Sequence, residues 1–322
     1  MGAGFIAGRH LGALAAMPDV DVVAVADPVV ERAVVVAGRL GARSYDDGLA
    51  LLAAEDLDAV WLCVPPFAHG PLEQAALARQ LPFFVEKPLA VDLAAAQAVA
   101  AAVRAQALPT AVGYHWRYLD VVQQSRALLD GHPPQLLLGQ WLDGTPGAPW
   151  WSRRDRSGGQ LVEQTTHLFD LARLLCGEVE SVCAAEATLR RDEWPDAHVP
   201  AASTVLMRFR SGAIGSISSS CLLPDRNRVD LRLITPGRVL ELRERSLTDH
   251  ELRVDDTAIT HSDQDPIAAE DRAFVDALLG RGNDVRTAYD EALRTHALVC
   301  AADRSARTCA PVVLDSAPDG PV

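Results

Sequence analysis

Two side chains have the chemistry that oxidation of an alcohol requires. Lys87 follows the apolar segment Phe83–Val85, which we predict to be a parallel strand, and ligands bind at the carboxyl ends of such strands. Its ammonium could donate a hydrogen bond to a substrate oxygen and stabilise a developing alkoxide. His167 could accept the hydroxyl proton, because imidazole titrates near neutral pH. This combination suits removal of a hydride and a proton from a secondary alcohol.

The spacing of three polar residues extends this interpretation. Glu163, His167 and Asp170 are at i, i+4 and i+7, so a continuous helix would place them on one face. Glu163 could then pair with Lys87 or orient His167, and Asp170 could equally be a structural residue. The alternative for Lys87 is a solvated side chain beside Glu86.

The segment Gly2-Ala3-Gly4-Phe5-Ile6-Ala7 fits the G-x-G-x-x-A pattern of a dinucleotide phosphate turn. Its glycines permit a tight turn and a close approach of the backbone to a pyrophosphate. Asp27 ends the next predicted strand, at the spacing expected for an acid that binds the adenosine ribose. Because Asp27 would repel a 2′-phosphate, we predict NAD as the cofactor, with NADP as the alternative. A glycine-rich turn and a capping aspartate would give the same pattern without a cofactor.

The strand that should precede this turn is missing, since only Met1 comes before Gly2. We expect either that the start assigned to the chain lies inside its gene, or that the chain lacks the central strand of the sheet. The first explanation is the one we favour, and the mass of the native protein distinguishes the two.

Short apolar runs alternate with alanine-rich stretches in the first third of the chain. Repeated βα units of this kind predict a doubly wound parallel sheet. Strands are predicted at residues 22–26, 59–64, 83–85 and 110–113, and helices at 30–40, 69–80 and 92–106. Asp92 is the predicted N-cap of the last of these helices.

The hydrophobic period changes after about residue 114. Further helices are predicted at 119–129, within 158–177, and at 268–279 and 290–305. Strands are predicted at 182–189, 203–209, 213–219, 229–234 and 312–313. Turns at Ser211-Gly212 and Pro236-Gly237 separate alternating runs, which indicates an antiparallel sheet. We therefore predict an α/β protein with a dinucleotide-binding domain at 1–115 and a second α/β domain at 116–322.

Four segments together resemble the Gfo/Idh/MocA oxidoreductases, which include glucose–fructose oxidoreductase and inositol dehydrogenase. They are VPPFAH at 64–69, VEKPL at 85–89, GYHWR at 113–117 and GGQLVEQTTHLFD at 158–170. The resemblance continues into the predicted helix at 290–305, so it covers nearly the whole chain in the expected order.

The resemblance implies a Rossmann domain followed by a substrate-binding α/β domain with a large open sheet. In such proteins that sheet often forms an oligomer interface, which implies a homo-oligomer such as a dimer or tetramer. Typical substrates are sugars, polyols and their derivatives. Lys87 corresponds to the family's active-site lysine and His167 to its general acid/base, whereas Glu163 stands where many members carry aspartate.

Loop residues complete the predicted site. Aromatic faces suit sugar rings, and arginines suit hydroxyls or carboxylates, although a core or interface position is the alternative for the tryptophans. His69 could equally do no more than start a helix. The predicted catalytic residues are Lys87, His167 and Glu163. The predicted cofactor-binding residues are Gly2, Gly4, Phe5, Ile6, Asp27, Val64, Pro65, Pro66, His69, Glu86, Lys87 and Arg117. The predicted substrate-binding residues are Lys87, Trp116, Trp150, Trp151, Arg154, Glu163 and His167.

Bulk properties exclude several classes of protein. The formal net charge of −13 argues against a nucleic-acid partner, because phosphate binding needs a basic face. No stretch reaches the ~20 apolar residues of a membrane span.

The histidines form no H-x-x-x-H or H-E-x-x-H arrangement, so no metal site is predicted. Six cysteines without a Cys-x-x-Cys pair are interpreted as buried thiols of a cytoplasmic protein.

Two other functions are compatible with these features. One is a non-catalytic sensor that binds a dinucleotide and a partner protein, although such a protein does not need both Lys87 and His167. The other is an NAD-dependent glycosidase, in which a transient oxidation activates the sugar for elimination and no net NADH is released.

Overall fold

The computed structural model describes residues 1–187, 197–262 and 264–314. The chain divides into two compact units. The first consists of Met1–Tyr118 and Asp265–Leu293, and the second of Leu119–Gln264 and Arg294–Val322. The first unit therefore contains a segment that follows the second unit's sheet in the chain. The predicted assignment of 1–115 and 116–322 to two domains stays a prediction.

The strands of the first unit are short and parallel. They are β1 (Ala24–Ala26), β2 (Arg43–Tyr45), β3 (Val60–Leu62), β4 (Phe83–Val85) and β5 (Thr110–Val112). β1 pairs with β2, and β3, β4 and β5 pair in that order, all in parallel. Every residue of β4 and β5 is buried, as in parallel strands that are covered on both faces. The predicted parallel arrangement is confirmed.

Met1 and Gly2 hydrogen-bond to both of these sheets. The Met1 amine donates to the Trp61 carbonyl at 2.6 Å, and the Cys63 amide donates to the Met1 carbonyl at 2.9 Å. The Gly2 amide donates to the Ala26 carbonyl at 2.8 Å. These two residues therefore connect the carboxyl ends of β1 and β3, at the position where the dinucleotide turn begins.

The helices follow the predicted order, with additional short ones. They are α1 (Phe5–Ala15), α2 (Val30–Leu40), α3 (Gly48–Ala54), α4 (Pro71–Ala78), α5 (Leu93–Gln106), α6 (Asp120–Leu129), α7 (Arg154–Ser157), α8 (Gln160–Glu163), α9 (Thr166–Cys176), α10 (Pro266–Leu278) and α11 (Tyr289–Thr308). Two 3₁₀ turns occupy Pro66–Ala68 and His115–Tyr118. Within the described ranges, none of the helices has the length and apolar character needed to cross a membrane.

The core of the first unit packs β3, β4 and β5 against α4, α5 and the first turn of α11. Phe83 and Tyr289 meet edge to face, with ring centroids 6.0 Å apart. On the other face of the sheet, Phe84 packs with Trp61 and Phe274. The strand that leads to Lys87 is therefore fixed by aromatic side chains on both of its faces.

A nine-stranded sheet dominates the second unit. Its strands are β6 (Leu136–Leu142), β7 (Val179–Glu186), β8 (Ala202–Phe209), β9 (Ile214–Ser220), β10 (Arg228–Thr235), β11 (Arg238–Ser246), β12 (Asp249–Val254), β13 (Thr257–Ser262) and β14 (Val312–Val313). Their order is β13-β12-β11-β10-β6-β9-β8-β7-β14. Only the β6–β9 pair is parallel within this sheet as the structure describes it. The predicted, mostly antiparallel open sheet is confirmed.

Several details differ from the predictions. The strand predicted at 182–189 begins earlier, as β7 at Val179, and the last two predicted residues lie outside the described ranges. Strands β2, β6, β11, β12 and β13 were not predicted, since β2 is short, charged residues interrupt β11 and β12, and the leucine-rich β6 has no clear alternation. The cysteines are not all buried, because Cys183 and Cys309 are exposed. Cys183 lies on an outward-facing position of β7, where alternation places it.

The N-cap of α5 gives a test of the local fold. The Asp92 carboxylate accepts the Ala95 amide at 3.0 Å, as predicted for a cap. We expect Asp92→Ala to lower the free energy of unfolding by about 1 kcal/mol, because a helix-terminal amide loses its acceptor. Urea denaturation measures this, with Asp92→Ser as the matched control that retains a capping oxygen. An equal loss in both variants would contradict the assignment of Asp92 as a cap.

Candidate active site

The predicted dinucleotide turn has the geometry of a phosphate-binding loop. Helix α1 begins at Phe5, directly after Gly4. Gly2 has φ +85°, and a Cβ there would lie 2.2 Å from the Cys63 carbonyl oxygen, so no other residue fits. A Cβ at Gly4 would meet nothing within 4 Å. The helix N-terminus therefore has open space beside it for an anion.

Asp27 closes this turn from the end of β1. Its Oδ2 accepts the Ala3 amide at 2.8 Å, and its Oδ1 accepts the Val29 amide at 2.8 Å. The carboxylate thus ties the phosphate turn to the loop before α2. Each oxygen keeps a further lone pair, so binding of a ribose hydroxyl by Asp27 stays a prediction that this geometry permits.

Lys87 lies in the turn after the fully buried strand β4 and is half-buried. The preceding residue, Glu86, is 3% exposed, and its amide donates to the Leu62 carbonyl of β3 at 2.9 Å. The Lys87–Pro88 peptide bond is cis. Lys87 therefore occupies the carboxyl edge of a parallel sheet, in the same unit as the dinucleotide turn.

Gly113 explains one of the sequence motifs in physical terms. It follows β5, and a Cβ at this position would lie 2.4 Å from Oε1 of Glu86. The carboxylate of Glu86 therefore fills the space that a side chain at 113 would need. The glycine that begins the GYHWR segment is required so that Glu86 can turn inward beneath Lys87.

Glu86 belongs to a buried charged network that sequence analysis missed. His10 Nε2 lies 2.9 Å from Glu86 Oε1, and His10 Nδ1 lies 2.8 Å from Asp271 Oδ1. The Trp61 indole donates to the same Asp271 oxygen at 2.8 Å. Burial lowers the pKa of His10, but the charge of neighbouring groups and hydrogen bonds to both carboxylates outweigh it and raise this pKa well above its usual value.

The loop after β3 contains the other cofactor candidates, Val64, Pro65, Pro66 and His69. His69 is buried, and its Nδ1 lies 2.6 Å from Glu73 Oε1. The other Glu73 oxygen accepts the Gly70 amide at the start of α4. His69 is thus engaged by the helix that follows it, and its predicted cofactor contact remains untested.

Trp116 and Arg117 are buried in the 3₁₀ turn after β5. One Arg117 nitrogen donates to Glu291 at 2.9 Å and another to the Arg286 carbonyl at 3.1 Å. Arg117 therefore connects this turn to residues near the start of α11. Its predicted role in cofactor binding, and that of Trp116 in substrate binding, stay predictions.

The helix predicted to carry Glu163 and His167 is interrupted. Helix α8 ends at Glu163, and α9 begins at Thr166. The Thr165 amide bonds to the Gln160 carbonyl, five residues earlier, which widens the turn as in a π-type bulge. The expectation that Glu163, His167 and Asp170 share one face of a continuous helix is therefore wrong.

The start of this segment shows why the sequence carries two adjacent glycines. Gly158 and Gly159 have φ +77° and +85°. A Cβ at Gly158 would lie 2.8 Å from Val162. Left-handed backbone and close packing both require glycine at 158, and the pair directs the chain into α8.

Glu163 is oriented by Trp151. The Trp151 indole donates to Glu163 Oε2 at 2.8 Å, and the Trp151 ring is 1% exposed and packs with Val199 and Cys221. This buried ring holds the carboxylate in place. Trp150 beside it is partly exposed and remains a candidate for contact with a substrate.

His167 stacks on a residue that sequence analysis missed. The Trp141 and His167 rings are 6.1 Å apart with an interplanar angle of 18°. The Arg226 guanidinium carbon lies 5.6 Å from the Trp141 ring centroid, and Arg226 is paired with Asp143 and Glu244. Trp141 lies on the unpredicted strand β6, so no sequence signal connected it with His167.

Arg154 has two carboxylate partners. Its guanidinium donates to Asp303 at 2.7 Å and to Glu186 at 2.6 Å. These ion pairs join α7, α11 and β7 within the second unit. The predicted contact of Arg154 with a substrate is not tested by this arrangement.

Comparison with known sequences identifies the class of protein. Residues 1–114 match a family described as an oxidoreductase family with an NAD-binding Rossmann fold. Residues 134–237 match the GFO/IDH/MocA C-terminal domain.

Curated relatives and solved structures agree with these matches. An inositol 2-dehydrogenase of Rhizobium meliloti is 32% identical over 224 residues, 68% of this chain and 67% of that protein. A D-apiose dehydrogenase of Paraburkholderia graminis is 31% identical over 193 residues, 58% and 51% of the two chains. The chain thus spans about one half to two thirds of these relatives' lengths. Levoglucosan dehydrogenase in complex with NADH has a TM-score of 0.87 at 19% identity, with 98% of each chain covered.

A Rossmann unit followed by a large open sheet defines this chain as an NAD-dependent oxidoreductase. More specifically, it belongs to the Gfo/Idh/MocA family. The predictions of family, oxidoreductase class and nicotinamide cofactor are confirmed.

The position of Asp27 predicts the choice of cofactor. We expect Asp27→Asn to lower the ratio of kcat/KM with NAD to kcat/KM with NADP by about tenfold, because a negative charge that repels the 2′-phosphate is lost. Initial rates with both cofactors measure the ratio. Asp21→Asn, at an exposed acid on the same segment, is the matched control. An unchanged ratio in Asp27→Asn would show that Asp27 does not face the ribose.

Proposed function

We propose that this protein oxidises a secondary alcohol of a cyclic polyol or sugar and that Lys87 is the residue that binds the reacting oxygen. The names of the relatives, inositol 2-dehydrogenase and D-apiose dehydrogenase, support this class of substrate. NAD, when bound at the Gly2–Gly4 turn, supplies the hydride acceptor.

The observation that supports this proposal is that the cationic residues of the chain include a single lysine. Lys87 is the only lysine in the chain, which has 29 arginines. At a solvated position either cation serves, but an ammonium is a compact point charge, whereas a guanidinium spreads its charge over a planar fork. A single ammonium at the carboxyl edge of β4 therefore points to an interaction with one oxygen atom that arginine would make less well.

The proposed role of Lys87 follows from its charge and position. Its ammonium donates a hydrogen bond to the substrate hydroxyl and stabilises negative charge that develops on the oxygen. Because the interaction strengthens as charge develops, it lowers the barrier more than it tightens substrate binding.

His167 is proposed as the base that accepts the hydroxyl proton. Its ring is 4% exposed and is stacked against Trp141, which limits its rotation. Glu163, held by Trp151, is proposed to bind a substrate hydroxyl and so select the ring orientation. The predicted roles of Trp150, Trp116, Arg154 and Arg117 remain part of this proposal.

A homo-oligomer is proposed from the nine-stranded sheet. Leu138, Leu206 and Ile214 are 40%, 57% and 51% exposed, and they lie on the paired strands β6, β8 and β9. An apolar sheet surface of this kind favours contact with a second copy.

A cytoplasmic location is proposed because the cysteines in the described residues are free thiols.

Removal of the single amine tests the central role. We expect Lys87→Ala to lower kcat by about 10²–10³-fold while the Kd for NADH changes little, because a hydrogen bond used in the transition state is lost. Steady-state kinetics and fluorescence titration of NADH measure the two quantities. Lys87→Arg is the matched control, since it retains the charge; it should recover only part of the rate. Full turnover in Lys87→Ala would remove Lys87 from the mechanism.

The proposed base is tested separately. We expect His167→Gln to lower kcat by about 10²-fold and to remove the acid limb of the pH–rate profile, because no group is left to accept the proton at neutral pH. Rates over a pH series measure both effects. Trp141→Phe, which retains an aromatic partner for the ring, should preserve the acid limb. An unchanged profile in His167→Gln would assign the base to another residue.

The substrate class is tested with a panel of inositols, aldoses and anhydrosugars, each with NAD and with NADP. Reduction of the cofactor by any of them, followed by absorbance, supports the proposed dehydrogenase. Cleavage of a chromogenic glycoside without net NADH would instead favour the glycosidase. Binding of NADH without turnover of any compound would favour the sensor.

A further inference from the structure

Four ionisable side chains meet in a buried cluster of the first unit, and all of them are shielded from solvent. They are His10, Glu86, Glu270 and Asp271, each no more than 3% exposed. They come from α1, from the turn after β4 and from α10. A cluster of three carboxyl groups and one imidazole is costly to bury unless its charges are balanced.

The hydrogen bonds of His10 account for most of the charge balance in this cluster. Both ring nitrogens of His10 contact carboxylate oxygens, Nε2 at Glu86 and Nδ1 at Asp271. An imidazolium, with protons on both ring nitrogens, can donate to both carboxyl groups at once. Burial raises the pKa of Asp271, and the charge and hydrogen bond of His10 oppose that rise. The raised pKa of His10 agrees with this geometry. One imidazolium thus lies between two carboxylates.

Glu270 completes the charge count. Its carboxyl oxygens are buried and make no hydrogen bond within the described residues. Burial first, and then the neighbouring carboxylates, raise its pKa well above the usual value. This shift favours the neutral form of Glu270, and the hydrogen bonds of His10 go to Glu86 and Asp271.

The cluster joins two parts of the cofactor and catalytic machinery. His10 is on α1, whose first turn is the dinucleotide site, and Glu86 directly precedes Lys87. The ring of His10 also packs against Phe84 of β4, with centroids 4.9 Å apart. The hydrogen bond between His10 and Glu86 is thus a direct polar connection between the phosphate-binding helix and the lysine turn.

We propose that His10 is a positioning residue for Lys87: by holding the Glu86 carboxylate between α1 and the Gly113 backbone, it fixes the turn that presents the amine. This proposal rests on the proposed function of Lys87. Loss of the His10–Glu86 contact should therefore displace the Lys87 side chain, while the helix N-terminus still binds the dinucleotide.

The single lysine makes this testable without reference to catalysis. Protein grown with isotopically labelled lysine has only the Lys87 side chain to report in a proton–carbon NMR spectrum. The variant is His10→Met/Asp271→Asn, which removes one positive and one negative charge together, so the cluster keeps its net charge. Methionine is apolar and flexible enough to fill the space against Phe84.

We expect the Lys87 side-chain signal of the double variant to shift and broaden relative to wild type. The kcat should fall by about tenfold to a hundredfold, because small displacements of a catalytic group are costly. The Kd for NADH should stay within about threefold. Asp271→Asn alone is the matched control: it keeps an acceptor for His10 and leaves Glu86 untouched, so its Lys87 signal should match wild type.

Two results would overturn the proposal. One is an unchanged Lys87 signal in the folded double variant. The other is tight binding of Mn²⁺ or Zn²⁺ to wild type that is lost in the double variant, since His10, Glu86 and Glu270 offer ligand atoms within 4.8 Å of one another and would then form a metal site.

If the double variant does not fold, Glu86→Asp replaces it. That side chain keeps its charge but is one methylene too short to reach His10, so the same shift in the Lys87 signal is expected. The NMR result is independent of the substrate, so it distinguishes failure of this proposal from failure of the proposed dehydrogenase. A shifted signal with unchanged turnover in Lys87→Ala would overturn only the proposed role of Lys87 in catalysis.

Discussion

The contact between His10 and Glu86 is the interaction on which the first unit's site depends. Glu86 can turn inward only because position 113 is glycine, and its carboxyl group meets the His10 ring there at 2.9 Å. A buried carboxylate without a partner would take up a proton or leave the core. The same contact couples the end of β4 to α1, so a single ion pair links the lysine turn to the phosphate-binding helix.

Backbone constraints around this contact leave little freedom. β4 is buried on both faces by aromatic side chains. Gly2 packs directly against the Cys63 carbonyl, and Asp27 holds the turn from the other side. In the second unit the corresponding fixed elements are the Gly158-Gly159 pair, the bulge before α9 and the ring of Trp151. Each unit thus presents its polar side chains from short, firmly packed segments rather than from long loops, which favours preorganisation.

Much of the first unit could be predicted from the sequence because its signals are local. A fully apolar run predicts a buried parallel strand, as at β4, and an aspartate before an alanine-rich run predicts an N-cap, as at Asp92. The His10 network could not be predicted, because His10, Glu86 and Asp271 are separated by most of the chain. Their types alone resemble ordinary surface residues.

The second unit contains features of the candidate site that could not be predicted from the sequence. Glu163 and His167 have helical spacing, yet they lie on two separate helices, α8 and α9. Spacing assumes a continuous helix, and the residue types give no signal for the wide turn that the hydrogen bond from the Thr165 amide to the Gln160 carbonyl closes. Trp141 was missed because it lies on β6, whose leucine-rich run has no clear alternation of apolar and polar residues.

The central claim is that the one amine side chain of this protein acts on the reacting oxygen. Acetylation of the intact protein, followed by peptide mass mapping, measures modification of Lys87 separately from the Met1 amine. We expect turnover to fall in proportion to acetylation of Lys87, and NADH together with a substrate or product to protect both the amine and the turnover. Complete acetylation of Lys87 with full turnover would contradict it.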